Sequence, residues 1–170
     1  MRLYEPSVLD QIVLALIEEK PQHGFAVSKE LERDPSLSAV IRARRPLVYR
    51  SINSLVDAKL IRETKTEPGD QGSPRVVYAT TATGKSTTAK WLNDTVDHPR
   101  DARIELLAKF VLRNRRNLTN QQLAKRQKKL FENQAAKLQV STNLATDDVR
   151  LVSLWRVETI NAMIRLLEAV

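Results

Sequence analysis

The chain has 170 residues, 42 % of them hydrophobic, and a net charge of +8, which suits one or two small domains that bind a polyanion. The absence of cysteine excludes disulfides and thiolate metal sites, and the two histidines lie far apart in the sequence, so we expect neither a metal centre nor a cofactor. An aromatic content of 5 % argues against a platform that stacks single-stranded bases.

The N-terminal apolar stretch is interrupted by Asp10 and Gln11, and no small-residue cleavage site follows it. It therefore predicts neither a signal peptide nor a membrane span. A chain without cysteine also suits a reducing compartment. We expect a cytoplasmic protein without a membrane partner.

Three helices are predicted in the first sixty residues from the spacing of apolar side chains. The first covers residues 8–20 and is capped by Ser7. The second covers residues 24–33, and a loop follows from Asp34. The third covers residues 46–59 and begins with a proline, which suits the first turn of a helix.

A β-hairpin is predicted directly after the third helix. Residues 60–68 and 75–80 form its strands, the second of which is rich in β-branched and aromatic residues. Residues 68–74 contain two of the four glycines of the chain and form the turn. A further helix, which Thr81 can cap, should then begin, with Gly84 in its first turn.

The sequence Gly84-Lys85-Ser86 resembles the end of a phosphate-binding loop. Such a loop needs a glycine five positions earlier, so that its backbone N–H groups can point at the phosphates. Ala79 occupies that position, and no hydrophobic strand ending in a magnesium-binding aspartate follows. We interpret the motif as a helix start and expect no catalytic activity, with a nucleotide-binding hydrolase as the weaker alternative.

A second domain is predicted after the hairpin and its helix. A linker over residues 95–102 separates a domain of residues 1–94 from one of residues 95–170. The second domain should contain three helices, which cover about Arg100 to Asn114, Thr119 to Leu144 and Asp147 to Val170.

The last of these helices is apolar on more than one face, so a single neighbouring element cannot cover it. We expect it to pack on its own domain and also on a second copy of the chain. The protein is therefore predicted to be a homodimer. The residues predicted for its interface are Leu151, Trp155, Met163 and Leu166.

Three helices followed by a hairpin are the order of a winged helix-turn-helix, in which the third helix enters the major groove of DNA. Between Arg42 and Arg62 there are six basic residues and one acid. Arginines near a helix start can bind phosphate or guanine, and an asparagine can pair with adenine; an ordinary solvated face is the alternative. The predicted DNA-binding residues are Arg44, Arg45, Arg50 and Asn53, together with Lys65 and Arg75 of the hairpin.

Three segments, "HGFAVSKEL", "LVYRSINSLVDAKLI" and "SPRVVYATTATGK", resemble in this order the PadR family of transcriptional regulators. The resemblance covers residues 8–92, and the remainder is similar to the helical C-terminal domain of the longer, virulence-activator type. The family often has glycine where this chain has Lys59, so a non-glycine residue must make that turn. The resemblance implies that Tyr49 lies near the DNA backbone, although it could instead pack between the third helix and the hairpin.

The residues and the resemblance together predict a mainly α protein with a small β-hairpin, consisting of a winged helix-turn-helix and a C-terminal helical dimerisation domain. We expect a sequence-specific transcription regulator that acts as a dimeric repressor on a palindromic operator. The resemblance leaves open whether a small-molecule effector exists. It makes Trp155 a candidate for the wall of an effector pocket, with the core of the dimer interface as the alternative. The alternative is a winged-helix module for protein contacts, which a neutral or acidic third helix would have favoured.

Overall fold

The computed structural model describes residues 4–69, 74–143 and 147–170. Its elements are, in chain order, α1 (Val8–Glu19), β1 (Gln22–His23), α2 (Gly24–Arg33), α3 (Pro35–Val40), α4 (Arg45–Asp57), β2 (Ile61–Glu67), β3 (Arg75–Thr80), α5 (Ala82–Asn93), α6 (Pro99–Ala102), α7 (Glu105–Arg115), α8 (Gln121–Asn143) and α9 (Asp147–Glu168). The predicted mainly α fold with a small hairpin is confirmed. In the described ranges, no helix is long and apolar enough to cross a membrane.

The chain divides into two compact units. The first consists of the segment up to Asn93 together with Leu107–Leu112, and the second of Asp94–Leu106 together with Arg113–Val170. The central part of α7 thus packs with the first unit, where Ala108 joins the hydrophobic core. The division at residues 94 and 95 stays a prediction.

The core of the first unit is built around α1. All residues from Ile12 to Ile17 are buried, and the helix packs against α4, α5 and β3. A helix buried on every side is apolar all round, as this one is. The recognition helix of the predicted motif, α4, presents Val48, Ile52 and Leu55 to this core.

A capping box fixes the start of α1 and connects it to α4. The Ser7 hydroxyl accepts from the backbone N–H of Asp10 at 3.2 Å, and the Asp10 carboxylate accepts from the backbone N–H of Ser7 at 2.9 Å. Burial would raise the pKa of Asp10, but hydrogen bonds from Ser51 of α4, from Ser7 and from Tyr4 outweigh it and lower that pKa. The ionised carboxylate therefore helps to hold α4 in place.

The sheet has the strand order β1-β3-β2, and both pairings are antiparallel. The hairpin of β2 and β3 is the predicted wing, with Ile61 opposite Thr80 and Glu67 opposite Arg75. Residues 70–73 of the predicted turn lie outside the described residues. Strand β1 was not predicted, because two residues are too few to show an alternation of apolar and polar side chains.

Two boundaries in the first unit differ from the sequence prediction. Residues predicted as loop after Asp34 contain α3, which the Asp34 carboxylate caps by accepting from the N–H groups of Ser36 and Leu37. Helix α4 ends at Asp57 instead of Lys59. Lys59 itself has φ 59°, so a non-glycine residue makes the left-handed turn, as predicted.

Gly84 is required for a close contact between backbones. A Cβ atom added there would overlap the carbonyl oxygen of Leu60 and would lie 2.7 Å from Cγ2 of Thr80. The Thr81 hydroxyl accepts from the N–H of Gly84 at 3.0 Å, which confirms the predicted cap, and it lies 2.9 Å from the carbonyl oxygen of Lys59. The close contact with Leu60 therefore explains why glycine occupies this position.

The second unit is built on the packing of α8 against α9. The predicted helix from Arg100 to Asn114 is two helices, α6 and α7, and α8 begins two residues after the predicted cap Thr119. The buried side chain of Gln127 in α8 forms two hydrogen bonds with the backbone of Val96. It accepts from the N–H of Val96 at 2.7 Å and donates to the carbonyl of the same residue at 2.9 Å, which fixes the segment before α6.

We predict that Gly84→Ala lowers the free energy of unfolding by about 1–3 kcal/mol, because the added methyl group overpacks the contact with Leu60. Urea denaturation of the full chain measures this. Ser86→Ala is the matched control, since Ser86 is exposed in the same helix and the change should be neutral or slightly stabilising. Equal stability of Gly84→Ala and the wild type would show that the junction can relax.

Candidate nucleic-acid interface

The face of α4 that points away from the core carries two of the predicted DNA-binding residues. Arg50 and Asn53 are exposed, and they share a side of the helix with Pro46 and Asp57, because these positions are three or four residues apart. A helix whose inner face is fixed by the core and whose outer face is polar can offer that outer face to a groove in DNA. Their role as DNA contacts stays a prediction.

The start of α4 is open and basic. Arg44 is the N-cap residue, but no side chain caps the helix there, and both Arg44 and Arg45 are exposed. The positive end of the helix dipole attracts anions, and neighbouring guanidinium groups add to that attraction.

Tyr49 lies where α4 meets the start of α2. A Cβ atom on Gly24 would be only 3.0 Å from Cε1 of Tyr49 and 2.9 Å from Cδ1 of Ile52, so glycine allows the two helices to approach closely. The Tyr49 side chain is nevertheless 42 % exposed. It both packs against α2 and remains accessible.

The two predicted wing residues have different surroundings. Lys65 Nζ lies 2.7 Å from Oε1 of Glu67 on the same strand, and the hydrogen bond from Lys65 lowers the pKa of Glu67. Arg75 stands opposite Glu67 in the hairpin. The positive charge of Lys65 is therefore partly neutralised by Glu67 before any contact with DNA.

An aromatic side chain that was not among the predicted site residues brings the helix and the wing together. The guanidinium carbon of Arg45 lies 4.6 Å from the centroid of the Phe25 ring, and that of Arg75 lies 4.9 Å from it. Lys29 Nζ lies 5.8 Å from the same centroid, and the His23 ring stacks beside it. The sequence signal was the Gly-aromatic pair at the start of α2, which carries the family resemblance but shows no functional role by itself.

Residues 13–90 match the sequence model of the transcriptional regulator PadR-like family. This match lies within the winged unit. The resemblance inferred from the three sequence segments is thereby confirmed. No curated protein matches the chain.

Among solved structures, the chain is similar to Bacillus subtilis PadR in complex with operator DNA, at 19 % identity, with a TM-score of 0.51 and coverage of 96 % of each chain. It is also similar to the PadR-like regulator BC1756 from Bacillus cereus, at 16 % identity, a TM-score of 0.42 and coverage of 95 % of this chain and 98 % of that one. The virulence activator AphA from Vibrio cholerae has 13 % identity, a TM-score of 0.39 and coverage of 95 % and 90 %, respectively. At such identity the Bacillus subtilis structure establishes a common fold and no more.

The second, helical unit has an apolar surface on α9. Leu151 and Trp155 are each 70 % exposed and Leu166 is 48 % exposed, whereas Met163 is half-buried. The opposite side of the helix supplies the buried face, formed by Ser153, Val157, Ile160 and Leu167. The four residues predicted for a dimer interface thus lie outside the core of their own unit.

A cavity of about 650 Å³ lies in the same unit, among α6, α8 and α9. Its apolar wall includes Trp155, Leu138 and Ile160, and cationic side chains surround it. Those cationic and potentially cationic residues are His98, Arg100, Lys137 and Arg156.

The phosphate-loop alternative receives no support from the PadR-like unit. Gly84 is buried against Leu60, and Lys85 is exposed in α5. The described part of the chain holds no group of three metal-ligating side chains.

We predict that Mg-ATP leaves the melting temperatures of the wild type and of Lys85→Ala unchanged. A ligand that binds the folded state raises the melting temperature with its concentration, so differential scanning fluorimetry over a series of nucleotide concentrations measures this. A rise that Lys85→Ala abolishes would restore the nucleotide-binding interpretation.

Proposed function

We propose that this protein is a transcription regulator that binds double-stranded DNA through α4 and the wing, and that it acts as a homodimer. The observation that carries the proposal is the exposed row of Arg50 and Asn53, next to the open, arginine-flanked start of α4. In a winged helix-turn-helix this is the surface that enters the major groove. The Bacillus subtilis PadR of similar fold is in complex with operator DNA, which supports DNA as the partner.

Sequence recognition falls to α4 in this proposal, and positioning falls to its start and to the wing. Arg50 can donate two hydrogen bonds to guanine, and Asn53 can pair with adenine. Arg44, Arg45 and Arg75 contact phosphate, which carries affinity but no sequence information. The net charge of +8 draws the protein to DNA in general, and the helix then selects a site.

Dimerisation follows from the apolar surface of α9. Leu151, Trp155 and Leu166 expose large apolar area on one helix, and a contiguous patch of this kind on a protein surface marks an interaction site. A second copy of the same helix is a self-complementary partner, as two-fold dimers require. Two winged units would then engage two half-sites of a palindromic operator.

Regulation in this proposal is repression by occupation of the operator. A ligand relieves it only by binding the released arrangement better than the DNA-bound one. The cavity beside Trp155 has the size of a small-molecule site, and it shares that tryptophan with the dimer surface. A ligand bound in this cavity would therefore contact a residue of the dimer surface.

We predict that Arg50→Ala weakens binding by about 1–3 kcal/mol on a duplex selected from a random pool by the wild type, with little loss on random DNA. Removing a base contact costs sequence-specific affinity only. Fluorescence anisotropy titrations on both duplexes measure this. Lys125→Ala is the control, since it removes the same charge from an exposed position of α8.

Equal losses on the two duplexes would make Arg50 a phosphate contact. Wild-type protein that selects no sequence from the pool would favour a winged-helix module for protein contacts. Either result would contradict the assignment of sequence recognition to α4.

We predict that Trp155→Glu converts the dimer into a monomer at micromolar concentration, because the change removes the indole ring from the apolar surface and puts a charge in its place. Trp155 is 70 % exposed in the single chain, so the monomer should keep its fold. Light scattering and circular dichroism measure the two properties.

Leu154→Glu is the matched control for Trp155→Glu. Leu154 is an exposed apolar residue of the same helix, but successive residues of a helix point about 100° apart. It lies off the row that contains Trp155 and Leu166 and borders only Leu151, so its variant should weaken the dimer much less than Trp155→Glu does. A monomeric wild type, or a Trp155→Glu variant that stays dimeric, would contradict this interface.

A further inference from the structure

The Phe25 ring is a meeting point for cations from separate elements of the winged unit. Arg45 comes from the start of α4, Arg75 from the wing strand β3, and Lys29 from one turn further along α2. Each positive group lies within 6 Å of the ring centroid, the range in which the ring attracts a cation. Such a convergence links the predicted recognition helix to the wing through one side chain.

Two carboxylates in this part of the unit, those of Glu32 and Glu67, each bind a lysine. Glu32 accepts from Lys29 at 3.0 Å, and that hydrogen bond lowers the pKa of Glu32. Glu67, opposite Arg75, forms its ion pair with Lys65 at 2.7 Å. The ring therefore contacts two guanidinium groups from separate elements, and these contacts help to hold the groups close together.

The geometry suits a single short stretch of DNA backbone. The two guanidinium carbons lie at most the sum of their distances to the ring apart, about 9.5 Å. An arginine that rests on an aromatic face keeps its N–H groups in the guanidinium plane, where they can donate to phosphate oxygens. Holding the side chain beforehand lowers the entropy lost when DNA binds.

We infer that Phe25 is a positioning residue for DNA binding, which holds Arg45 and Arg75 as one joint site for backbone phosphate. The inference rests on the proposed function. Phe25 itself makes no contact that identifies a base. It sets where the wing and the start of the recognition helix grip the backbone.

The test is a titration of the full-length protein with a labelled random-sequence duplex at a series of salt concentrations. Phe25→Leu keeps an apolar side chain but removes the ring, and should weaken binding about five- to thirtyfold, the equivalent of two exposed cation–π contacts. The slope of log affinity against log salt should fall by up to about one unit for each arginine that loses its phosphate. Phe25→Tyr keeps the ring and should bind like the wild type.

Two further variants separate positioning from folding. The pair Arg45→Ala with Arg75→Ala should weaken binding, and adding Phe25→Leu to that pair should cause no additional loss, since the ring acts through the arginines. Phe25→Met serves as a second ring-free variant if the leucine variant has a lower melting temperature. Rescue by tyrosine at unchanged stability would not follow from a merely structural role.

Distinct results overturn the inference and the proposed function. Phe25→Leu that binds as tightly as the wild type with the same salt slope, or more tightly, would overturn the inference alone. An additional loss from Phe25→Leu in the arginine-free background would also overturn it. Wild-type protein without affinity for the duplex would overturn the proposed function and the inference together.

Discussion

The winged unit depends on one backbone contact, where Gly84 at the start of α5 meets the carbonyl of Leu60. The N–H of Thr81 donates to that same carbonyl at 3.0 Å, and the N–H of Leu60 donates back to Leu55 in α4 at 2.9 Å. The end of the recognition helix, both wing strands and the following helix are therefore joined within a few residues. Because a buried carbonyl is satisfied here and no side chain fits, the orientation of the wing relative to α4 is set by the backbone.

The orientation of the wing relative to α4 determines where the arginine side chains lie on the surface. Arginines that are distant in sequence, Arg45 and Arg75, reach the same aromatic ring only because β3 is held beside the start of α2 by its pairing with β1. The exposed row with Arg50 lies on the same helix as Arg45. In the proposed function, base recognition and backbone contact would be combined on the winged unit, and the apolar surface of α9 would serve assembly.

Much of this could be predicted from sequence, for identifiable reasons. The helices with strong apolar periodicity and the β-branched wing strand were predicted correctly, and Thr81 was correctly predicted as a cap. Short α3 was missed because six residues show no period. The contacts of Arg45 and Arg75 with the Phe25 ring were missed because they join residues far apart in the chain. The true constraint on Gly84 depends on the Leu60 carbonyl, which no local pattern reveals. The predicted DNA-binding and interface residues stay predictions.

The proposed function requires the outer face of α4 to enter a groove of DNA. A photo-crosslinking amino acid at position 53, compared with the same amino acid at position 125, tests it most directly, because Asn53 and Lys125 are both exposed and lie in different units. With a labelled duplex selected by the wild-type protein, we expect efficient crosslinking from position 53 and none above background from position 125. Crosslinking from position 125 alone, or from neither position while the duplex stays bound, would contradict it.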